Sequence, residues 1–138
     1  MAFIGGDITE ITCNHPTLGQ FTFLPKAGED STYDLGGVSS ADDAQMIAGD
    51  AQVIRQLTRK RWSFEVTLAN DFVAGGVDTL QQLQNLAGSV AEGDWTITNI
   101  NGSVYQGLGS PVGDLTTNGN TSTIALKVAG GGTMKKIA

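Results

Sequence analysis

Only one stretch of this chain carries a helical period. From Asp78 to Val90, the residues Leu80, Leu83, Leu86, Ala87 and Val90 recur at spacings of three and four and make one apolar stripe. Gln81, Gln82, Gln84, Asn85 and Ser89 take the other face, with no Lys, Arg or Glu among them. Asp78 with Gln81 three residues on has the form of a capping box. Gly75 and Gly76 break the chain before it, and Gly93 can end it. The pattern predicts a single α-helix over about 78–91, lying on a sheet. Its amide-rich outer face suits a helix that a partner later covers. With one helix available, strands must supply the rest of the core.

The strand signals are frequent. Ile8 to Cys13 and Gln20 to Leu24 flank a turn at Asn14–Gly19, with Phe21 and Phe23 on one face and Thr22 on the other. Trp62, Phe64, Val66 and Leu68 alternate with Arg61, Ser63, Glu65 and Thr67, the clearest strand of the chain. Two hairpins follow the helix, each with an Asn-Gly turn. A two-residue loop at Asn101-Gly102 pairs Ile100 with Ser103 and puts Trp95, Ile97, Val104 and Leu108 on one face, Thr96, Thr98 and Tyr105 on the other. The same reading at Asn118-Gly119 groups Leu115, Ile124, Leu126 and Val128, with Thr116, Thr121 and Thr123 opposite. The expected architecture is mainly β: two packed antiparallel sheets, a sandwich or partly open barrel, with one flanking helix.

The chain has 138 residues, which is one domain. One cysteine, Cys13, excludes an internal disulfide framework, so no oxidising compartment is required. No apolar run approaches the roughly 18 residues of a membrane span. The start, MAFIGGDITE, lacks the basic region and apolar core of a signal peptide, and the expectation is a chain made in cytosol.

Residues 26–50 stand apart. They are rich in acids and glycine, poor in large apolar groups, and read either as a mobile acidic loop or as an extended arm that orders against a neighbouring subunit. Charge is segregated along the chain. Residues 1–54 carry −7, residues 55–61 carry +4, residues 62–126 carry −6 and the remainder +3, which gives the net −6. That balance argues against sequence-reading nucleic-acid binding. The segregation suits a subunit whose one surface docks on a different surface of its copy. On this reading Tyr33, Asp34, Leu35, Asp42, Asp43 and Ile47 form a stacking arm. Arg55, Arg59, Lys60, Arg61, Lys135 and Lys136 are the basic inter-subunit residues. The polar face of the clear strand, Ser63, Glu65 and Thr67, is left to look onto water, outside the protein or in a channel.

The residues of catalysis are sparse. The single histidine, His15, sits in a turn beside Pro16, and nothing in the sequence supplies it with a nucleophile and an orienting acid. Cys13 and His15 are two ligands where a structural zinc site takes four. The acids at 34, 42, 43 and 50 lack the regular spacing of a calcium loop. Gly130-Gly131-Gly132-Thr133 is followed by Met134, not by the Lys of a phosphate loop, and reads as a bent connection. No enzyme site, metal or cofactor is expected.

Three segments then carry a resemblance: RKRWSFEVTLAND at 59–71 with the leucine helix after it, DWTITNINGSVYQGLGSPVGD at 94–114, and TIALKVAGGGTMKKI at 123–137. In this order the chain resembles the tail tube proteins of contractile-tailed bacteriophages, over residues 31–137. The resemblance implies two β-sheets packed across each other with one flanking helix, a fold shared with type VI secretion tube proteins. It implies six copies in a ring whose inner strands join into a barrel around a channel, and rings stacked into a tube that a contracting sheath drives through the host envelope. Its partners would be itself, the tail sheath, the baseplate and the tail terminator. The genome would pass down the lumen without specific binding, and the protein would reside in the virion after assembly in the host cytoplasm. A monomeric β-sandwich binding module is the competing class; it would want exposed aromatics grouped at one end. A non-contractile tail or a secretion system would use the same ring.

Overall fold

The computed structural model describes residues 4–28, 31–40, 46–47, 49, 53–54, 57–70 and 78–138. Among these the chain is mainly β, with one short helix. The first strands are β1 (Ile8–His15) and β2 (Gly19–Phe23), then β3 (Thr32–Asp34), β4 (Gly37–Ser40), β5 (Met46–Ile47), β6 (Val53–Ile54), β7 (Leu57–Lys60) and β8 (Trp62–Ala69). The helix α1 (Thr79–Ala87) precedes β9 (Gly93–Asn99), β10 (Val104–Pro111), β11 (Thr117–Asn118), β12 (Thr123–Gly130) and β13 (Lys135–Lys136).

The main sheet runs β2-β1-β9-β10-β12-β8-β3, with β11 on β12 and β13 on β10. It folds over on itself at β10. Residues 104–109 of β10 pair with β9, while Ser110 and Pro111 pair with Ala129 and Val128 of β12. One layer therefore holds β2, β1 and β9, and the other holds β12, β8 and β3. Past β2 the chain crosses to the second layer: Pro25 bridges Leu68, and the Lys26 amide donates to Thr67 O at 2.8 Å. This is the mainly β, antiparallel architecture that the alternation predicts, with both facing layers cut from one sheet, and two two-stranded sheets, β4-β7 and β5-β6, beside it.

One core fills the space between the layers. Ile8, Ile11, Cys13, Phe23, Trp95 and Ile97 come from one layer; Trp62, Phe64, Val66, Leu68, Ile124, Leu126 and Val128 come from the other. Phe64 meets Trp95 edge-on across the gap, with ring centroids 6.0 Å apart. The period-2 pattern of β8 buries every apolar residue from Trp62 to Leu68.

The helix is shorter than its sequence pattern suggests. Asp78 caps it as expected, accepting from the Gln81 amide at 2.9 Å. It stops at Gly88, whose N–H donates to Gln84 O, not at Gly93. Leu83 and Leu86 join the core and Leu80 packs against it, but Ala87 is exposed and Val90, beyond the helix, is fully exposed. Leu83→Ala is expected to cost about 2–5 kcal/mol in denaturant melts, the range for a buried leucine truncated to leave a cavity. A loss below about 0.5 kcal/mol would mean that this face is not core.

Both hairpins differ in register from the two-residue-loop expectation, with opposite consequences. In the first, Thr98 pairs with Val104 and Ile97 with Tyr105. The loop holds three residues, Ile100–Gly102, with Gly102 at φ +91°. This is a slip of one residue, so every side chain of β10 changes face. Tyr105 turns inward against the core, and Val104 and Leu108 turn outward, Leu108 with 60 % of its surface exposed. In the second, Thr117 pairs with Ile124 across a longer loop. That shift is even, so Ile124, Leu126 and Val128 stay buried and Leu115 packs against them.

Candidate functional site

The first surface is the segment that the composition marks as an arm. It is not a single unstructured loop. β4 pairs with β7, and β5, in sequence between them, pairs with β6. The arm from 37 is thus one limb of nested antiparallel ribbons whose other limb reaches Lys60. This brings together groups assigned by sequence to opposite surfaces: Val38 pairs with Arg59 and Gly37 with Lys60. Asp34 accepts from Lys60 Nζ at 2.8 Å and from the Gly36 amide at 2.9 Å. The Lys60 ammonium, then that amide, hold the Asp34 carboxyl below the usual carboxylate range. Lys60 is therefore paired within its own chain.

The apolar anchors of the arm also differ from expectation. Tyr33 stands opposite Phe64 on β8; its ring tilts against Tyr105 at 5.5 Å and its hydroxyl accepts from Asn99 Nδ2 at 2.8 Å. Leu35 packs against the core. Both make contacts within the chain. The free apolar groups are instead Val38 and Leu57 on the β4–β7 ribbon, 64 % and 59 % exposed. Leu57 lies outside the arm in sequence, and only strand pairing brings it beside Ser40. Asp42, Asp43 and Arg55 lie outside the described residues, as does the side chain of Ile47, whose backbone forms part of β5.

Arg59, Lys60 and Arg61, with Gly37, Val38, Gly131 and Gly132, line a hollow of about 460 Å³ at the ribbon base. The base is pinned: Gly36 bridges Thr133, and the Met134 amide donates to Leu35 O at 2.9 Å. Lys135 and Lys136 lie elsewhere, on β13 opposite Gln106 and Tyr105.

The second surface is the pair of outer sheet faces. Ser63, Glu65 and Thr67 do face away from the core on β8. Glu65 sits 3.3 Å from Lys127 of β12, so the centre of this face is an exposed ion pair, not a bare acid. The opposite layer presents Glu10, Thr12 and Asn14 of β1, Gln20 and Thr22 of β2, and Asp94, Thr96 and Thr98 of β9. The registers place these side by side, and Gln106 Nε2 donates to Asp94 Oδ2 beside them. This face carries two acids, Glu10 and Asp94, and the register places Lys135 of β13 beside Gln106 in the same row.

His15 and Cys13 are structural. The His15 ring is buried; Nδ1 accepts from the Thr17 and Leu18 amides, both at 3.1 Å, and Nε2–H donates to Ala91 O at 3.0 Å. It ties the β1–β2 turn to the segment after the helix, which commits both nitrogens. The Cys13 thiol is pushed up to about 12 by burial and by Asp94 nearby, which leaves it a thiol at neutral pH. Among the described residues no group of three or more His, Cys, Asp or Glu could hold a metal, and no helix is long and apolar enough to cross a membrane. No protein-family model matches the chain, and no curated protein matches it.

Proposed function

We propose that this chain is a tube-forming structural subunit. Copies form hexameric rings, and the rings stack into the inner tube of a contractile bacteriophage tail. The observation that carries the reading is the β4–β7 ribbon. Among the described residues its strands pair only with each other, it lies outside the core, and it exposes Val38 and Leu57 together with Arg59 and Arg61. A ribbon of this kind gains packing when a second copy covers it. The outer faces of both layers are polar, rich in threonine and amides, as strands looking onto a water-filled channel would be. The edge strands β2 and β3 offer backbone for a neighbour to pair with. The sequence resemblance over 31–137 supplies the ring and its stacking.

In this role the subunit performs no catalysis and takes no cofactor. Its partners are further copies, the sheath, the baseplate and the tail terminator, and DNA passes without being read. Like charge keeps phosphate from adhering to a channel wall. The face holding Glu10 and Asp94 suits that wall better than the Ser63–Thr67 face, where Lys127 offsets Glu65. Negative-stain microscopy of the purified protein at high concentration is expected to show six-fold rings or tubes. A species that sediments as a monomer at every concentration and salt would overturn the reading.

A further inference from the structure

Both Asn-Gly pairs are solvent-exposed. We propose that Asn118 is a site of spontaneous covalent modification, in which the Gly119 backbone nitrogen closes on the Asn118 side chain and the amide becomes a carboxylate.

The step balances without an oxidant or a cofactor. The Gly119 nitrogen gives up its proton to solvent and attacks Asn118 Cγ. A nitrogen–carbon bond forms, and Oδ1 takes the negative charge of the tetrahedral intermediate. The bond from Cγ to Nδ2 then breaks, and Nδ2 leaves as ammonia with a proton from water. Water reopens the five-membered ring at either carbonyl, which gives aspartate or its β-linked isomer.

Two features favour Asn118 over Asn101. The developing oxyanion at Asn118 has donors already in place, because Oδ1 accepts from the Asn120 amide at 3.0 Å and the Thr121 amide at 3.4 Å. Among the described residues the Gly119 N–H donates to no acceptor, and the space around its Cα is open. At the other turn the Gly102 N–H donates to Asn99 O at 3.0 Å, so the attacking nitrogen is held in the turn. Asn101 Oδ1 has one donor, the Ser103 amide at 3.0 Å.

Modification adds one negative charge per subunit on the face that Asn118 shares with Thr123. The β-linked product also lengthens the backbone of β11 by one carbon. Since β11 is Thr117 and Asn118 alone, the added carbon breaks its register with β12. None of this depends on the tube reading.

The test is incubation of the whole protein at mildly alkaline pH, followed by digestion and peptide mass mapping with isoaspartyl labelling. Asn118 is expected to convert about tenfold faster than Asn101 in the folded protein, the rate equivalent of one retained hydrogen bond. In urea the two rates should converge. Gly119→Ala should slow conversion at Asn118 and leave Asn101 unchanged. Equal rates in the folded state, Asn101 converting first, or no conversion at Asn118 while the urea-unfolded chain reacts would each overturn the proposal.

Discussion

Gly130→Ala is expected to cost at least about 4 kcal/mol, above the usual range for an overpacked core. Gly130 lies at the end of β12, opposite Trp62 on β8. A Cβ there would stand 1.9 Å from Leu108 O and 2.7 Å from Trp62 Cζ2. Neither neighbour can yield cheaply, since one is backbone of β10 and the other a buried ring. Gly109 faces the same crowding, its Cβ 2.4 Å from Ala129 O, and Gly107 would place one 2.7 Å from Trp62 Cε2. The three glycines form the seat of the Trp62 indole where β10 and β12 cross, so alanine at 130 must part the strands that join the layers. A domain of this kind has about 5–15 kcal/mol in total, so most of the variant should be unfolded or expressed as aggregate. Gly131→Ala is the internal control: nothing lies within 4 Å of a Cβ there, and its effect should stay within about 0.5 kcal/mol. The measurement is urea unfolding followed by circular dichroism. A Gly130→Ala midpoint equal to that of the parent would refute this account of the crossing.

The second large effect concerns assembly. Replacing residues 41–56 by a short turn, with β4 and β7 kept, should leave a folded subunit that makes no long tubes. The β4–β7 pair closes on itself and, among the described residues, its base is held by Gly36, Thr133 and Met134. The Asp34–Lys60 pair at the base is kept in the shortened chain, so its thermal midpoint should move little. A milder change, Val38→Asp with Leu57→Asp, should weaken stacking more than folding, because both side chains are already in water in the lone subunit. Tube lengths by electron microscopy decide the matter. Tubes of normal length from the shortened chain would move the stacking role to another surface.

Much of the fold was legible, because its strands are amphipathic and its core is made by their apolar faces. The β8 alternation and the Asp78 cap needed no tertiary information. The Asn101-Gly102 hairpin shows where that legibility ends. Its sequence fits a two-residue loop, yet the chain uses three, and one residue of slip decides whether Tyr105 or Leu108 faces the core. The second hairpin slips too, but by an even step, so its faces survive. The helix stops at Gly88, before the periodic pattern is complete. The arm was the least legible. Its acids and the bases at 59–61 are about twenty residues apart, and only strand pairing reveals that Val38 meets Arg59 and that Asp34 holds Lys60. Composition shows that charge is segregated along the chain; it does not show which charges pair within it.

The shared strand β10 has a mechanical consequence. Two layers joined only by loops could slide over one another under load, with greasy side chains offering little resistance. Here β10 is bonded to β9 along residues 104–109 and to β12 at 110–111, so sliding would have to rupture backbone hydrogen bonds near a glycine crossing that has no slack. A wall built from such units would be stiff in shear and would yield, if at all, by bending between subunits.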